Sequence, residues 1–504
     1  MTKSVKFATL SLLSIVLVGM MMFSGCGSSS SSSSTPPAAT TYSGTLYMAG
    51  ADGGHIGVFP VTIDPSNTTS PVTVNVASVT RYQLTGAPGS GTMFHDLRFG
   101  INADGTTNYN KIYYSGMMSR GTNSTVVDIG YVDLTTATPL VNNQGTNSTI
   151  DIDNTATGPL PNGADTIAFA LSLIAPDEFG SGTRIDYCAS GMNKDYYFPM
   201  SMSFPAYVDA IPVTKLATAG AHLVAGTDFK RTYIGQIDDS MNLSLWTGVT
   251  ATIPLDITVP GVGNNLPLSI LGVPPLAFIH GAASPDGTKI YMSTNQMAGL
   301  QKALNTAGFL RAYLVNASDL VSGGMTTAQV VSKASYTVAP SDSTTTGDLE
   351  GTIAYRASYT PDSQYILQSG SDRMLILKAS DLSLYADTAG ANNASPSGAS
   401  AGKSSAIASG LGAGTFGGIE VHDVTATPDS KYAILAVRYF ADVNQKNAGI
   451  KSSGVQLYDI NNKAFVGKVT PTCGASGTTN SCHAAANDFQ SRATCGVIGH
   501  LAAH

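Results

Sequence analysis

FIHGAASPDGTKIYMSTN, from Phe278 to Asn295, decides the fold because it recurs in degraded form. YRASYTPDSQYILQSG starts at Tyr355, VHDVTATPDSKYAILAV at Val421 and FALSLIAPDEFGSGTRIDYCASG at Phe169. Each copy has small and apolar residues, then Pro-Asp, a polar turn, and a strand of Tyr, Ile, Leu or Val. A strand-turn-strand unit that repeats along a chain specifies a repeat architecture, because no single copy can bury both of its faces.

With the aspartate as anchor, seven copies are proposed: Asp104, Asp177, Asp228, Asp286, Asp362, Asp429 and Asp488. Further strands follow the anchors and close on similar turns, LVNASDL from Leu314, LKASDL from Leu377 and LYDINN from Leu457. Asn and Asp suit such turns because their side chains bond the local backbone. The unit is therefore a small antiparallel sheet, and radial repetition covers its faces with neighbouring sheets. The expected fold class is all-β, a β-propeller of seven blades. GTLYMAGADGGHIGVFPVTIDP, from Gly44, enters the unit at its second strand, and the last anchor is followed by one good strand. The N- and C-terminal strands are thus expected to share a blade and close the ring without edges.

His280, Gly281, Ser284, Pro285, Asp286, Gly287, Ile290 and Tyr291 carry a resemblance to the YVTN-type seven-bladed propellers, over Gly44 to His504. That family's relatives include lactonase-like enzymes, surface-layer proteins and the N-terminal propeller of nitrous oxide reductase. The resemblance implies a fold more than a function.

The chain has 504 residues, of which 43% are hydrophobic and only 12% charged, with Gly reaching 53. That balance suits β-structure with many tight turns. The net charge is -7, and no basic patch with interleaved aromatics is visible, so a nucleic-acid partner is not expected. Residues 1–25 read as a lipoprotein signal peptide: Lys3 and Lys6, an apolar run from Phe7 to Phe23, then Ser24, Gly25 and Cys26. Cys26 is the expected lipidation site, although Phe23 stands where a lipobox usually has Leu. Residues 26–43 read as the lipidated cysteine and a Ser/Thr/Pro-rich tether, and 44–504 as the propeller. Gly27 follows the cysteine, which by resemblance to Gram-negative sorting favours the outer membrane. The expected location is the bacterial cell envelope, with the protein facing either the periplasm or the medium. A membrane reached through the lipid is one expected partner, and a protein or small molecule at a propeller face another.

Cys188, Cys473, Cys482 and Cys495 are disulfide candidates in an exported chain, and the pairing stays open. His95, His222, His280, His422 and His483 each precede an anchor, and Arg356 takes a similar place. Innermost strands of a propeller line its channel, so these side chains are candidates for a shared ligand or metal site. Their offsets to the anchor differ, however, and a one-residue slip turns a strand residue to the other face unless a bulge compensates. No cofactor is expected from the sequence; a transition metal is the alternative. Asp348, Glu350 and Glu420 precede inner strands and offer carboxylates near the channel mouth, while His500 and His504 are expected at a disordered or capping end. No Gly-x-Ser-x-Gly elbow, phosphate loop or His-Glu-x-x-His motif is present. The leading expectation is a binding or structural platform. The alternatives are a lactonase-like hydrolase in the channel mouth and a metal-binding or redox protein using the histidines.

Overall fold

The computed structural model describes residues 40–50, 55–75, 80–83, 93–117, 126–127, 129–136, 141–143, 150–151, 187–201, 207–217, 223–233, 252–254, 265–267, 276–296, 308–323, 325, 329–338, 355–370, 373–388, 418–440, 450–472 and 496–504. Among these, six antiparallel sheets of four or five strands form the blades of an all-β propeller. Blade 1 runs Val497–Ala503, Tyr42–Gly50, His55–Ile63 and Val72–Val74, with Thr80–Gln83 also paired to its third strand. Blade 2 is Met93–Ile101, Thr107–Met117, Ile129–Asp133 and Val141–Asn143; blade 3 is Tyr187–Met192, Tyr196–Ser201, Tyr207–Pro212 and Lys230–Tyr233. Blade 4 is Leu276–Ala283, Lys289–Gln296, Gly308–Asn316 and Val330–Val338. Blade 5 is Ala357–Tyr359, Tyr365–Ser369, Met374–Lys378 and Leu384–Asp387; blade 6 is Gly418–Ala426, Tyr432–Phe440, Ile450–Asp459 and Ala464–Pro471.

The expected seven blades are therefore corrected to six, and the anchors show why. Asp104, Asp286, Asp362 and Asp429 do sit in turns between first and second strands. Asp228 instead lies between the third and fourth strands of blade 3, where it accepts from Val224 N at 2.9 Å and from Lys215 Nζ at 2.9 Å. Blade 3 makes its first turn at Asn193, whose Oδ1 accepts from the backbone of Asp195 and Tyr196. Blade 1 has no first turn, because its first strand is Val497–Ala503 and its second is Tyr42–Gly50, paired from Tyr42↔Ala503 to Met48↔Val497. Asp177 and Asp488 lie outside the described residues.

The Pro-Asp turn works through a hydroxyl one residue before the proline. Ser284 Oγ donates to Asp286 Oδ1 at 2.5 Å and accepts from Lys289 N at 2.9 Å, while Asp286 accepts from Thr288 N at 3.0 Å. Thr360 with Asp362 and Thr427 with Asp429 repeat the pattern. The residue after the aspartate takes a left-handed backbone: Gly287 at φ 68°, but Ser363 at 60° and Ser430 at 62°. Left-handed backbone is costly for any residue with a Cβ. Ser363→Gly is therefore expected to stabilise the fold by about 0.5–1 kcal/mol, read as a higher urea midpoint at unchanged slope. A lower midpoint would refute it. A second aspartate recurs at the end of the third strand or in the connection after it, as Asp64, Asp133, Asp228, Asp319, Asp381 and Asp459.

Apolar residues alternate along the strands and pack between blades. Tyr42, Leu46, Val61 and Ile63 of blade 1 meet Ile434, Val455 and Leu457 of blade 6. Leu97, Ile112 and Tyr114 of blade 2 meet Tyr47, Ala49 and Ile56 of blade 1. Leu310 and Leu314 of blade 4 meet Ile366, Leu375 and Leu377 of blade 5. This packing leaves the first strands of consecutive blades side by side. Close approach there excludes a side chain at Gly191 of blade 3, where a Cβ would lie 2.8 Å from Ala283 N of blade 4.

Candidate functional site

The first strands bring a polar cluster to the axis. Blade 2 contributes Asp96 and Arg98, blade 3 Ser190, blade 4 His280, and blade 6 His422 and Asp423; Tyr355 and Arg356 immediately precede the first strand of blade 5. Asp96, Ser190, Arg356 and Asp423 are 0% exposed, so their polar groups must be satisfied within the protein.

Asp96 is the centre. Its Oδ2 accepts from Ser190 Oγ at 2.5 Å, and its Oδ1 lies 3.3 Å from Arg98 Nη1 and 3.5 Å from Arg356 Nε. Arg98 also donates to backbone carbonyls of three other blades: Nε to Ser190 O at 2.7 Å, and Nη2 to Gly281 O and Ala357 O, each at 3.2 Å. One guanidinium thus joins blades 2, 3, 4 and 5. The planar fork of five donors makes arginine suited to that task. Asp423 joins blade 6 to blade 1, because its Oδ2 accepts from Val497 N at 2.7 Å. Its Oδ1 accepts from Val424 N at 2.7 Å.

Arg356 Nη1 pairs with His422 Nδ1, and Ser369 Oγ donates to His422 O at 2.9 Å. Tyr355 stacks on His422, with centroids 4.9 Å apart, and meets the His280 ring edge-on at 6.2 Å. Burial, then the charge of Arg356, holds His280 well below the usual histidine range, so its ring is neutral. Burial pushes Asp423 up to about 7; the cations of Arg356 and Arg98 pull against that, and Asp96 adds to it.

Of the sequence candidates, His280, His422 and Arg356 come together. His95 lies in the first strand of blade 2 and Cys188 in that of blade 3, and their side chains are outside the description, as is that of Glu420. His222, His483, Cys26, Cys473, Cys482, Cys495, Asp348 and Glu350 lie outside the described residues altogether. Among the described residues, no three His, Cys, Asp or Glu side chains are grouped to hold a metal ion. His500 and His504 belong to blade 1: His500 stacks on Tyr109 at 3.9 Å, and His504 Nε2 lies 2.6 Å from Ser43 Oγ.

Sequence reasoning missed Asp96, Arg98, Ser190, Tyr355 and Asp423. A signal for two of them was present in the His-Asp dipeptide, repeated as Phe94-His95-Asp96 and Val421-His422-Asp423. Pairing shifts register between Phe94 and Asp96 and again between Val421 and Asp423. Each shift is a bulge at the histidine, and a bulge re-aims the side chains that follow it. The two bulges thus deliver Asp96 and Asp423 to the axis.

Two other polar features lie off the axis. Within blade 3, Arg231 bonds Asp209 through Nε and Nη2, both at 2.8 Å, stands 3.7 Å over the Tyr207 ring, and shares Asp209 with Tyr187. On the face of the Pro-Asp turns, a groove of about 560 Å³ runs between blades 2, 3 and 4, lined by Ile101, Met192, Asn193, Asp286 and Val321 among others. Across it Asn193 Nδ2 of blade 3 donates to Gly287 O of blade 4 at 3.2 Å.

No known family's sequence model matches the chain, and no curated protein matches it. Solved structures similar to it include the periplasmic gluconolactonase PpgL of Pseudomonas aeruginosa, at 10% identity and TM-score 0.38, covering 86% of this chain and 97% of that one. A putative TolB from Agrobacterium tumefaciens matches at 10% identity and TM-score 0.33, covering 86% of this chain and 89% of that one. The β-propeller domain of Cps50 from Myceliophteria thermophila matches at 8% identity and TM-score 0.33, covering 84% of each chain. Likeness of this degree says nothing about activity.

Proposed function

We propose that the chain is an exported, lipid-anchored propeller that serves as a binding or structural platform at the cell envelope. The observation that carries this reading is the use of the axial charges. Asp96, Arg98, Arg356 and Asp423 are spent on one another and on strand backbones, and three of the four are 0% exposed. A hydrolase in the channel mouth needs an acid–base pair within reach of water and substrate; here such groups hold blades together. Recognition then falls to the outer faces. The pairing of Val497–Ala503 with Tyr42–Gly50 supports ring closure by the two ends. The apolar run ending at Cys26, followed by the serine tether, supports lipidation and an outer-membrane location.

Two measurements test the reading. Metabolic labelling of expressing cells with radioactive palmitate is expected to mark the full chain and to vanish in Cys26→Ser. Purified protein is expected to leave a panel of lactones and esters intact. Turnover abolished by His280→Ala would replace the platform with the hydrolase.

A further inference from the structure

Among the described residues the exposed large apolar side chains are Tyr109, Val331 and Leu384, and Tyr109, at 39%, is the aromatic one. Blade 2 departs from regular pairing to place it. The pairing of its first two strands steps from Phe99↔Ile112 to Gly100↔Asn108, so Tyr109, Asn110 and Lys111 bulge out of that ladder. Asn108 Oδ1 accepts from Asn110 N at 3.0 Å, and Asn110 O accepts from Leu134 N at 2.8 Å, which ties the bulge down. The Tyr109 ring stacks on His500 of blade 1, with centroids 3.9 Å apart and planes 7° from parallel. Phe99 meets Tyr109 edge-on at 5.0 Å and lies 6.5 Å from His500. Those three separations make nearly a right angle at Tyr109, so Phe99 stands beside the tyrosine ring rather than over it. One face of Tyr109 thus rests on the imidazole and one edge on Phe99, while the other face is turned to solvent.

We propose that Tyr109, backed by His500 and Phe99, is the stacking platform of a binding site for a neutral glycan of gluco-configured pyranose rings. This deepens the binding-platform reading and rests on it. A gluco-configured pyranose holds its hydroxyls at the rim and turns C–H bonds to both faces. The face of an aromatic ring is electron-rich, so it attracts such weakly positive hydrogens while apolar area is buried. The tyrosine ring is already held by its neighbours, so binding orders little that is free beforehand. The surroundings suit hydroxyls and not ions. Asn108 and Asn110 flank the ring in sequence, and Thr45 lies opposite His500 in blade 1. The charged side chains nearest to Tyr109 in sequence are engaged: Lys111 Nζ stands 4.8 Å over the Tyr131 ring, and Asp104 Oδ1 accepts from Thr106 N at 2.9 Å and Thr106 Oγ1 at 2.6 Å. An uncharged, hydroxylated ring is therefore the ligand that this arrangement fits.

The experiment titrates the full chain, purified in a detergent without a sugar headgroup, with cellohexaose and with maltohexaose, followed by saturation-transfer-difference NMR. Binding of at least one is expected, with saturation strongest on the ring C–H protons of one pyranose face. Tyr109→Ala is expected to weaken that binding by about tenfold, the worth of one good ring stack, at an unchanged urea midpoint. Tyr109→Phe keeps the ring and is expected to stay within about twofold of the parent. Binding of neither hexasaccharide, or undiminished binding by Tyr109→Ala, overturns the proposal. Tetramethylammonium or decaproline bound in place of saccharide, and lost in Tyr109→Ala, would overturn it in favour of a cation or a proline-rich peptide. The lactone and ester panel tests the platform reading separately, so a failed saccharide titration with that panel intact removes the glycan alone. Cleavage of a bound hexasaccharide would remove the platform reading and keep the ring as the binding site.

Discussion

Arg356→Met is expected to lower the free energy of unfolding by about 3–5 kcal/mol, the cost of leaving a buried charge without its partner. Arg356 is completely buried, lies 3.5 Å from Asp96, and pairs with His422 from the next blade. Methionine keeps much of the volume, so the effect is electrostatic rather than a cavity. Asp96 would retain Arg98 and Ser190, which sets the lower end of the range. The measurement is a urea titration followed by far-UV circular dichroism, with the midpoint falling and the slope unchanged. A companion chain, Asp96→Asn with Arg356→Met, should lose less than the sum of the two single changes, since the contact between the two residues is removed only once, while Arg98 keeps its backbone carbonyls. A loss below about 1 kcal/mol would place the pair among solvent-screened bridges, whose worth is of that order, and would remove the cluster from its role as the hub of the blades.

The repeat was legible because its signal is local. Ser284-Pro285-Asp286-Gly287 specifies one turn, its hydrogen bonds close within a few residues, and the strand after it follows period two. Blade number was not legible, because an aspartate in a turn looks alike whichever strands it joins. Asp228 serves a third-to-fourth connection yet has the surroundings of an anchor, and blade 3 turns on Asn193 without any Pro-Asp. The axial cluster was legible in part. His280, His422 and Arg356 were marked by position along the first strand. Asp96 and Asp423 were not, because their arrival depends on bulges, which are decided by pairing with the next strand rather than by sequence spacing. Arg98 was the hardest to see. Its partners are carbonyls from three other blades, fixed only when the ring assembles.

Asp423→Asn is expected to change how stability depends on pH. Burial raises Asp423 to about 7 in the folded protein, against 3.8 for a free carboxyl. Between about pH 4 and about pH 7 the folded state therefore holds a proton that the unfolded state has released. Wherever the folded state binds more protons, stability falls as pH rises. The penalty grows through that window, levels off above about pH 7, and reaches on the order of 4 kcal/mol at about 1.4 kcal/mol per unit. Other groups act on the same curve in the opposite sense. His280 stays neutral when folded, so its contribution is lost as pH falls below the usual histidine value of 6.5. The turn aspartates Asp104, Asp286 and Asp429 are held below the usual carboxyl value, and theirs is lost as pH falls through the acid range. The wild-type curve mixes all of these; the difference between wild type and variant isolates Asp423. Asparagine keeps one carbonyl oxygen for Val497 N and gives up the second bond, to Val424 N, at a cost of about 1 kcal/mol. The variant should thus be slightly less stable than wild type near pH 4 and more stable near pH 8, by about 2–3 kcal/mol after that cost. Urea midpoints taken at intervals from pH 4 to pH 8 would trace the difference, with the two curves crossing inside the window. A difference that stays flat from pH 4 to pH 8 would mean that Asp423 ionises at its ordinary value, and that the bond to Val497 is made by a carboxylate throughout.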